Sequence, residues 1–134
     1  MKFLLDTNPC VRYLNGRSEN LRSRMDAAGD ANLAVCSVVK AELSFGAAKS
    51  AAPQQTQAIQ AVFLSRLFSF PFDDRAAAVY GPLRAELEKR GLPIGSNDLM
   101  IAAIALANDV TLITANVNEF NRVAGLRMEN WEEP

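Results

Sequence analysis

Residues 3–9 read Phe3-Leu4-Leu5-Asp6-Thr7-Asn8-Pro9. Three apolar residues too few for a helix meet an acid, and a helix start follows at once. The reading is a short buried strand, Phe3–Leu5, with Asn8 as N-cap and Pro9 at the first helical position. A strand that feeds directly into a helix is the opening half of a βαβ unit. Working outward, the same alternation repeats. Leu33–Cys36, Phe68–Phe70, Thr111–Thr114 and Leu126–Met128 read as further strands. Helices are expected from Ser18 to Gly29, from Val38 to Lys49 after Ser37, and from Gln54 to Leu67. Asp73 caps another that runs to Lys89, Ser96 caps the apolar helix Leu99–Ala107, and Val117–Val123 is a short one. At helical spacing, Ile59, Val62, Phe63 and Leu67 share one face of the Gln54–Leu67 helix. Short strand-to-helix connections favour parallel pairing with right-handed crossovers. The expected fold class is α/β: a three-layer α/β/α sandwich around a mainly parallel sheet of about five strands.

The chain has 134 residues, 49% of them hydrophobic and 22% charged, the balance of a globular protein. One domain spanning residues 1–134 is expected. No apolar run approaches the ~20 residues of a membrane span, and Asp6 comes too early for the apolar core of a signal peptide. A cytoplasmic protein is expected. Net charge is −1, so the whole molecule gives no nucleic-acid signature. The charge is uneven, however: residues 1–66 hold eight Lys or Arg against five Asp or Glu, and residues 67–134 hold six against ten.

Histidine is absent altogether. That removes Ser-His-Asp and Cys-His nucleophile systems, histidine acid–base nucleases and HExxH zinc sites. The two cysteines, Cys10 and Cys36, are too few for a structural zinc site and read as buried free thiols. Hydrolytic chemistry here has to come from carboxylates, amides and hydroxyls, which suits a hard metal ion.

The acids supply it. Asp6 ends a strand, Glu42 lies on the helix after the second strand, and Asp98 stands in the first turn of the most apolar helix. Asn116, with Glu119 three residues on, follows the fourth strand. In an open parallel sheet, ligands bind in the crevice beyond the carboxyl ends of the strands, and all five positions open onto that edge. Carboxylates gathered there repel one another unless a cation sits among them. Oxygen ligands without His or Cys suit Mg²⁺ or Mn²⁺, which activate water and neutralise a phosphodiester under attack. Each residue also has an innocent reading. Asp98 complements a helix dipole, Glu42 is a solvated helix residue, and Asn116-x-x-Glu119 has the spacing of a capping box. Their joint placement is the argument.

These residues fall in motifs that occur in order: Leu4-Leu5-Asp6-Thr7-Asn8; Ala41-Glu42-Leu43 with Phe45-Gly46; Gly95-Ser96-Asn97-Asp98-Leu99 continuing to Ala103; and Thr114-Ala115-Asn116-Val117-Asn118-Glu119-Phe120. The chain resembles the PIN-domain ribonucleases, specifically VapC/FitB-like toxins of type II toxin–antitoxin systems, over essentially its whole length. The resemblance implies an Mg²⁺- or Mn²⁺-dependent endoribonuclease, a homodimer, and a VapB-like antitoxin that neutralises it. It implies a structured RNA substrate, with initiator tRNA cut in its anticodon stem-loop as the usual example. By position, Asp6 and Asp98 match the principal metal ligands and Glu42 the third acid. Asn116 stands where many relatives carry a fourth acid, with Glu119 nearby to supply charge. Arg12, Arg17, Arg22, Lys40 and Lys49 are candidates for an RNA rim, and Tyr13 for base stacking. Two other readings stay open. An aspartate at a strand end also serves haloacid-dehalogenase-like phosphatases, although Asn8 replaces the second acid of their Asp-x-Asp. A PIN-like fold kept as a binding module is the other.

Overall fold

Leu4 and Leu5 are wholly buried, and their strand β1 (Phe3–Leu5) sits at the centre of the sheet. The computed structural model describes residues 2–134. Strands β2 (Leu33–Cys36), β3 (Phe68–Phe70), β4 (Thr111–Ile113) and β5 (Met128–Glu129) join β1 in the order β3-β2-β1-β4-β5. Every pairing is parallel. Phe3 and Leu4 pair with Leu33 and Ala34 on one side and with Thr111 and Leu112 on the other.

The helices are α1 (Thr7–Asn15), α2 (Glu19–Ala28), α3 (Ser37–Lys49), α4 (Pro53–Leu64), α5 (Asp74–Lys89), α6 (Ser96–Asn108) and α7 (Val117–Phe120). From β1 the chain steps outward to β2 and β3, then returns past β1 to β4 and β5. Right-handed crossovers in these two opposite directions put α1–α4 over one face and α5–α7 over the other. The helix packing agrees: α3 lies against α4 and α1, and α5 lies against α6. The α/β/α expectation and the five strands hold. Helix α6 is apolar because it is the most enclosed, with Leu99 and Ile101 through Ala105 all buried. Among the described residues, no helix is long and apolar enough to cross a membrane.

Several local expectations shift. The first helix begins at Thr7 with Asp6, not Asn8, at the N-cap position. Pro9 therefore falls at the third helical residue, where its missing N–H would have had no intrahelical partner anyway. Gly95 rather than Ser96 precedes α6, which moves Asp98 to the third residue of that helix. Helix α4 stops at Leu64, and its supposed apolar face divides. Phe63 and Leu67 are buried, whereas Ile59 is 51% and Val62 69% exposed. The reason is that α4 packs chiefly on α3, so only a narrow stripe is covered. Asp73 and Ser18 do cap their helices, accepting from the amides of Ala76 and Leu21.

Candidate active site

The direction of the crossovers reverses between β1 and β4, so the crevice beyond their carboxyl ends is the topological switch point of the sheet. Asp6 follows β1 and Asn116 stands just past β4. The helices α3 and α6 both begin at this edge and bring Glu42 and Asp98 to it. A cavity of about 160 Å³ is lined by Asp6, Thr7, Asn8, Glu42, Asp98 and Asn116. Glu119 closes its margin, accepting from Asn116 Nδ2 at 3.0 Å and from the Gly95 amide at 3.4 Å. All five residues singled out in the sequence are thus brought together.

Hydroxyl groups that the sequence reading passed over hold the acids in place. Thr114 Oγ1 donates to Asp6 Oδ2 at 2.8 Å and itself accepts from the Asn116 amide at 3.0 Å. Thr7 Oγ1 donates to Glu42 Oε1 at 2.5 Å. Threonine immediately after an acid or a strand end is common in ordinary α/β turns, so only the fold reveals the role. The capping-box reading of Asn116 and Glu119 does not hold. Asn116 makes no side-chain cap bond, and its amide instead points to the Glu119 carboxylate, which leaves the carbonyl Oδ1 free to act as a ligand.

The electrostatics are those of crowded carboxylates. Asp98 is pushed up to about 7, first by burial and then by the charges of Asp6, Glu119 and Glu42. Asp6 is also raised, mainly by burial, against the opposing effect of its hydrogen bonds from Thr114 and the Thr7 amide. Cys36 is pushed up to about 11 by burial and Cys10 is raised still further. Both thiols are free and buried, so neither is a thiolate ligand. The donors that remain are oxygens alone, which fits a hard divalent cation. As they stand, no three acids among the described residues form a ready-made ligand trio. Asp6 and Glu42 each spend one oxygen on a local donor and Glu119 spends both, and gathering them on one ion exchanges those bonds for coordination.

The basic rim is more selective than the sequence suggested. Tyr13 is occupied: its ring lies 5.2 Å from that of Phe63 and carries the Arg22 guanidinium at 4.7 Å. Lys49 sits over the Phe45 ring, and Arg12 pairs with Glu132. Arg17 has no side-chain partner among the described residues.

A parallel α/β fold with an acid-lined, oxygen-only cleft at its switch point defines the class to which this chain belongs. That class has a family: residues 3–126 match the PIN domain, and the chain belongs to the PIN-domain family, among the VapC ribonucleases. It is 41% identical to Ribonuclease VapC2 of Rickettsia felis, over 99% of this chain and 100% of that protein. It is 37% identical to the tRNA(fMet)-specific endonuclease VapC of Salmonella typhimurium, over 98% of each chain. The crystal structure of VapBC2 from Rickettsia felis bound to a DNA fragment from their promoter aligns with a TM-score of 0.91, covering 98% of this chain and 99% of that one. Membership of this family rules out the haloacid-dehalogenase reading.

Proposed function

We propose that the protein is the toxin of a VapBC-type toxin–antitoxin pair, an endoribonuclease that cuts structured RNA, with initiator tRNA the favoured substrate. The observation that carries this reading is the convergence of Asp6, Glu42, Asp98 and Asn116 on one cavity at the switch point in a chain without histidine. Relatives named as ribonucleases, and one named as specific for tRNA(fMet), support the substrate class. VapC ribonucleases are generally metal-dependent, and the oxygen-only donor set favours Mg²⁺ or Mn²⁺ here. Asp6, Asp98 and Glu42 would hold the ion, with Asn116 Oδ1 and Glu119 completing the shell. When bound, the ion neutralises the mutual repulsion of the acids and supplies positive charge toward the phosphodiester.

The residues themselves do the rest. Thr114 fixes the rotamer of Asp6, so that one carboxylate oxygen faces the cavity while the other is tethered. Thr7 does the same for Glu42. Asp98, held up by burial and by the neighbouring carboxylates while no ion is bound, gives up its proton as an ion is taken up.

A protein partner is consistent with the surface. Phe45, Ile59 and Val62 are 64%, 51% and 69% exposed, and a groove of about 300 Å³ between α1, α3 and α4 runs to Glu42. A VapB-like antitoxin lying there would reach the acids and is expected to set a basic side chain against them. A homodimer is the expected toxin unit. The reading is tested by incubating purified, antitoxin-free protein with total bacterial tRNA in Mg²⁺, Mn²⁺ or EDTA, beside Asp6→Asn. Discrete metal-dependent products that vanish in the variant are expected; products indifferent to EDTA and to the variant would overturn it.

A further inference from the structure

A second polar cavity, of about 350 Å³, adjoins the acid pocket and shares Asn8 with it. Its wall includes Arg12, Asn15, Arg17, Ala115 and Glu132. Three features of its chemistry are complementary. Arg17 is exposed, and its five guanidinium N–H donors have no partner among the described residues. Arg12 pairs with Glu132, its Nε 2.5 Å from Oε1, and its terminal N–H groups have no other partner among the described residues. Glu132 borders the cavity, and its Oε2 is enclosed and has no hydrogen-bond partner among the described residues. A buried carboxylate oxygen left unpaired is costly, and it points to a donor that arrives with a ligand. The C-terminal segment that carries Glu132 is firmly placed. Trp131 is 3% exposed and packs edge-on against Phe3, and Asn20 Nδ2 donates to the Glu132 carbonyl at 3.2 Å.

Two sets of free cationic donors beside one orphaned acceptor match a ribonucleotide. Its phosphate accepts from guanidinium groups in the bidentate manner arginine favours, and its ribose 2′-hydroxyl donates to a carboxylate. That hydroxyl is the group by which a protein distinguishes RNA from DNA. Resting on the nuclease reading above, we propose that this cavity is a ribonucleotide subsite flanking the scissile bond. Arg17 and Arg12 hold the backbone phosphate, and the Glu132 carboxylate, turning its enclosed Oε2 toward the cavity, takes the 2′-hydroxyl. Glu132 thereby both orients Arg12 and sets the preference for ribose. Because Asn8 borders both cavities, a strand with its phosphate on Arg17 continues into the acid pocket.

The test is fluorescence anisotropy of a labelled RNA stem-loop and its all-DNA counterpart over a NaCl series, in EDTA so that no metal-dependent cleavage occurs. Wild type is compared with Arg17→Ala, Glu132→Ala and a distant control, Arg84→Ala, with melting curves verifying the fold. Arg17→Ala is expected to weaken RNA and DNA alike by about 10-fold and to lower the salt slope by about 0.7. Glu132→Ala is expected to bring the RNA:DNA affinity ratio to within about threefold of unity, from about tenfold or more in wild type. Arg84→Ala should match wild type. Arg17→Ala binding like wild type, or an RNA:DNA ratio unchanged by Glu132→Ala, would overturn the subsite. Cleavage of the same RNA by wild type in Mg²⁺ reads out the nuclease assignment separately. Its absence beside the expected binding pattern would overturn that assignment and leave the subsite standing.

Discussion

Thr114 is the residue on which the geometry of Asp6 turns. It is 1% exposed and Asp6 is 6% exposed, so the hydroxyl between them has no competing water. Thr114→Val keeps the shape and removes the donor, which raises the proton affinity of Asp6 further. The expected result is a rise of about 10-fold or more in the Mg²⁺ concentration that half-activates cleavage, measured by titrating the metal at fixed RNA. An unchanged requirement would show that Thr114 is packing alone. Asp98 makes a prediction about pH. Its affinity for a proton is higher in the folded chain (about 7) than in the unfolded one (3.8). The folded state therefore binds more protons between these values, and stability falls as pH rises from about 4 to about 7. Melting in EDTA should show this decline, and millimolar Mg²⁺ should reverse it at pH 8 by offsetting the repulsion. Asp98→Asn, which removes the charge, should melt about 3 °C higher than wild type in EDTA at pH 8 while losing cleavage by about 100-fold or more.

At the scale of elements, the caps are where sequence and structure part company. Strands β1, β2 and β3 fall on the residues expected, because short apolar runs bounded by acids and hydroxyls have one plausible extent. Asp73 and Ser18 cap as expected, because each has an amide three residues on within reach. Asp73→Ala is expected to cost about 1 kcal/mol, a fall of about 3 °C in Tm; no change in the melting curve would mean that α5 is held by its packing on α6. At α1, α3 and α6 the cap positions fall one or two residues before the polar residue expected, at Asp6, Cys36 and Gly95. None of these three starts has a side-chain cap bond. These helices start where the strand or loop before them delivers the chain, and a rule that looks for a side-chain cap misplaces them for that reason. The acids were legible because carboxylates at the end of an apolar strand and the head of an apolar helix conflict with burial. Thr7, Thr114 and Glu132 were not, since their roles depend on partners 35, 108 and 120 positions away in the chain.

For the whole molecule, the excess of positive charge in residues 1–66 becomes a spatial arrangement. The arginines of α1 and the loop after it line a cavity directly beside the acidic one, and the acid-rich second half supplies Asp98, Glu119 and Glu132. A near-neutral protein thus carries adjacent sites of opposite sign, one suited to a cation and one to the backbone of the strand it cuts. The central claim is that the carboxylates at the switch point hold a divalent ion. Calorimetric titration of Mn²⁺ into metal-free wild type, Asp6→Asn and Asp98→Asn at pH 7.5 tests it most directly. Saturable binding by wild type, weakened by about 10-fold or more in both variants, is the predicted result. Binding of equal strength in all three proteins would place the ion elsewhere and contradict the account.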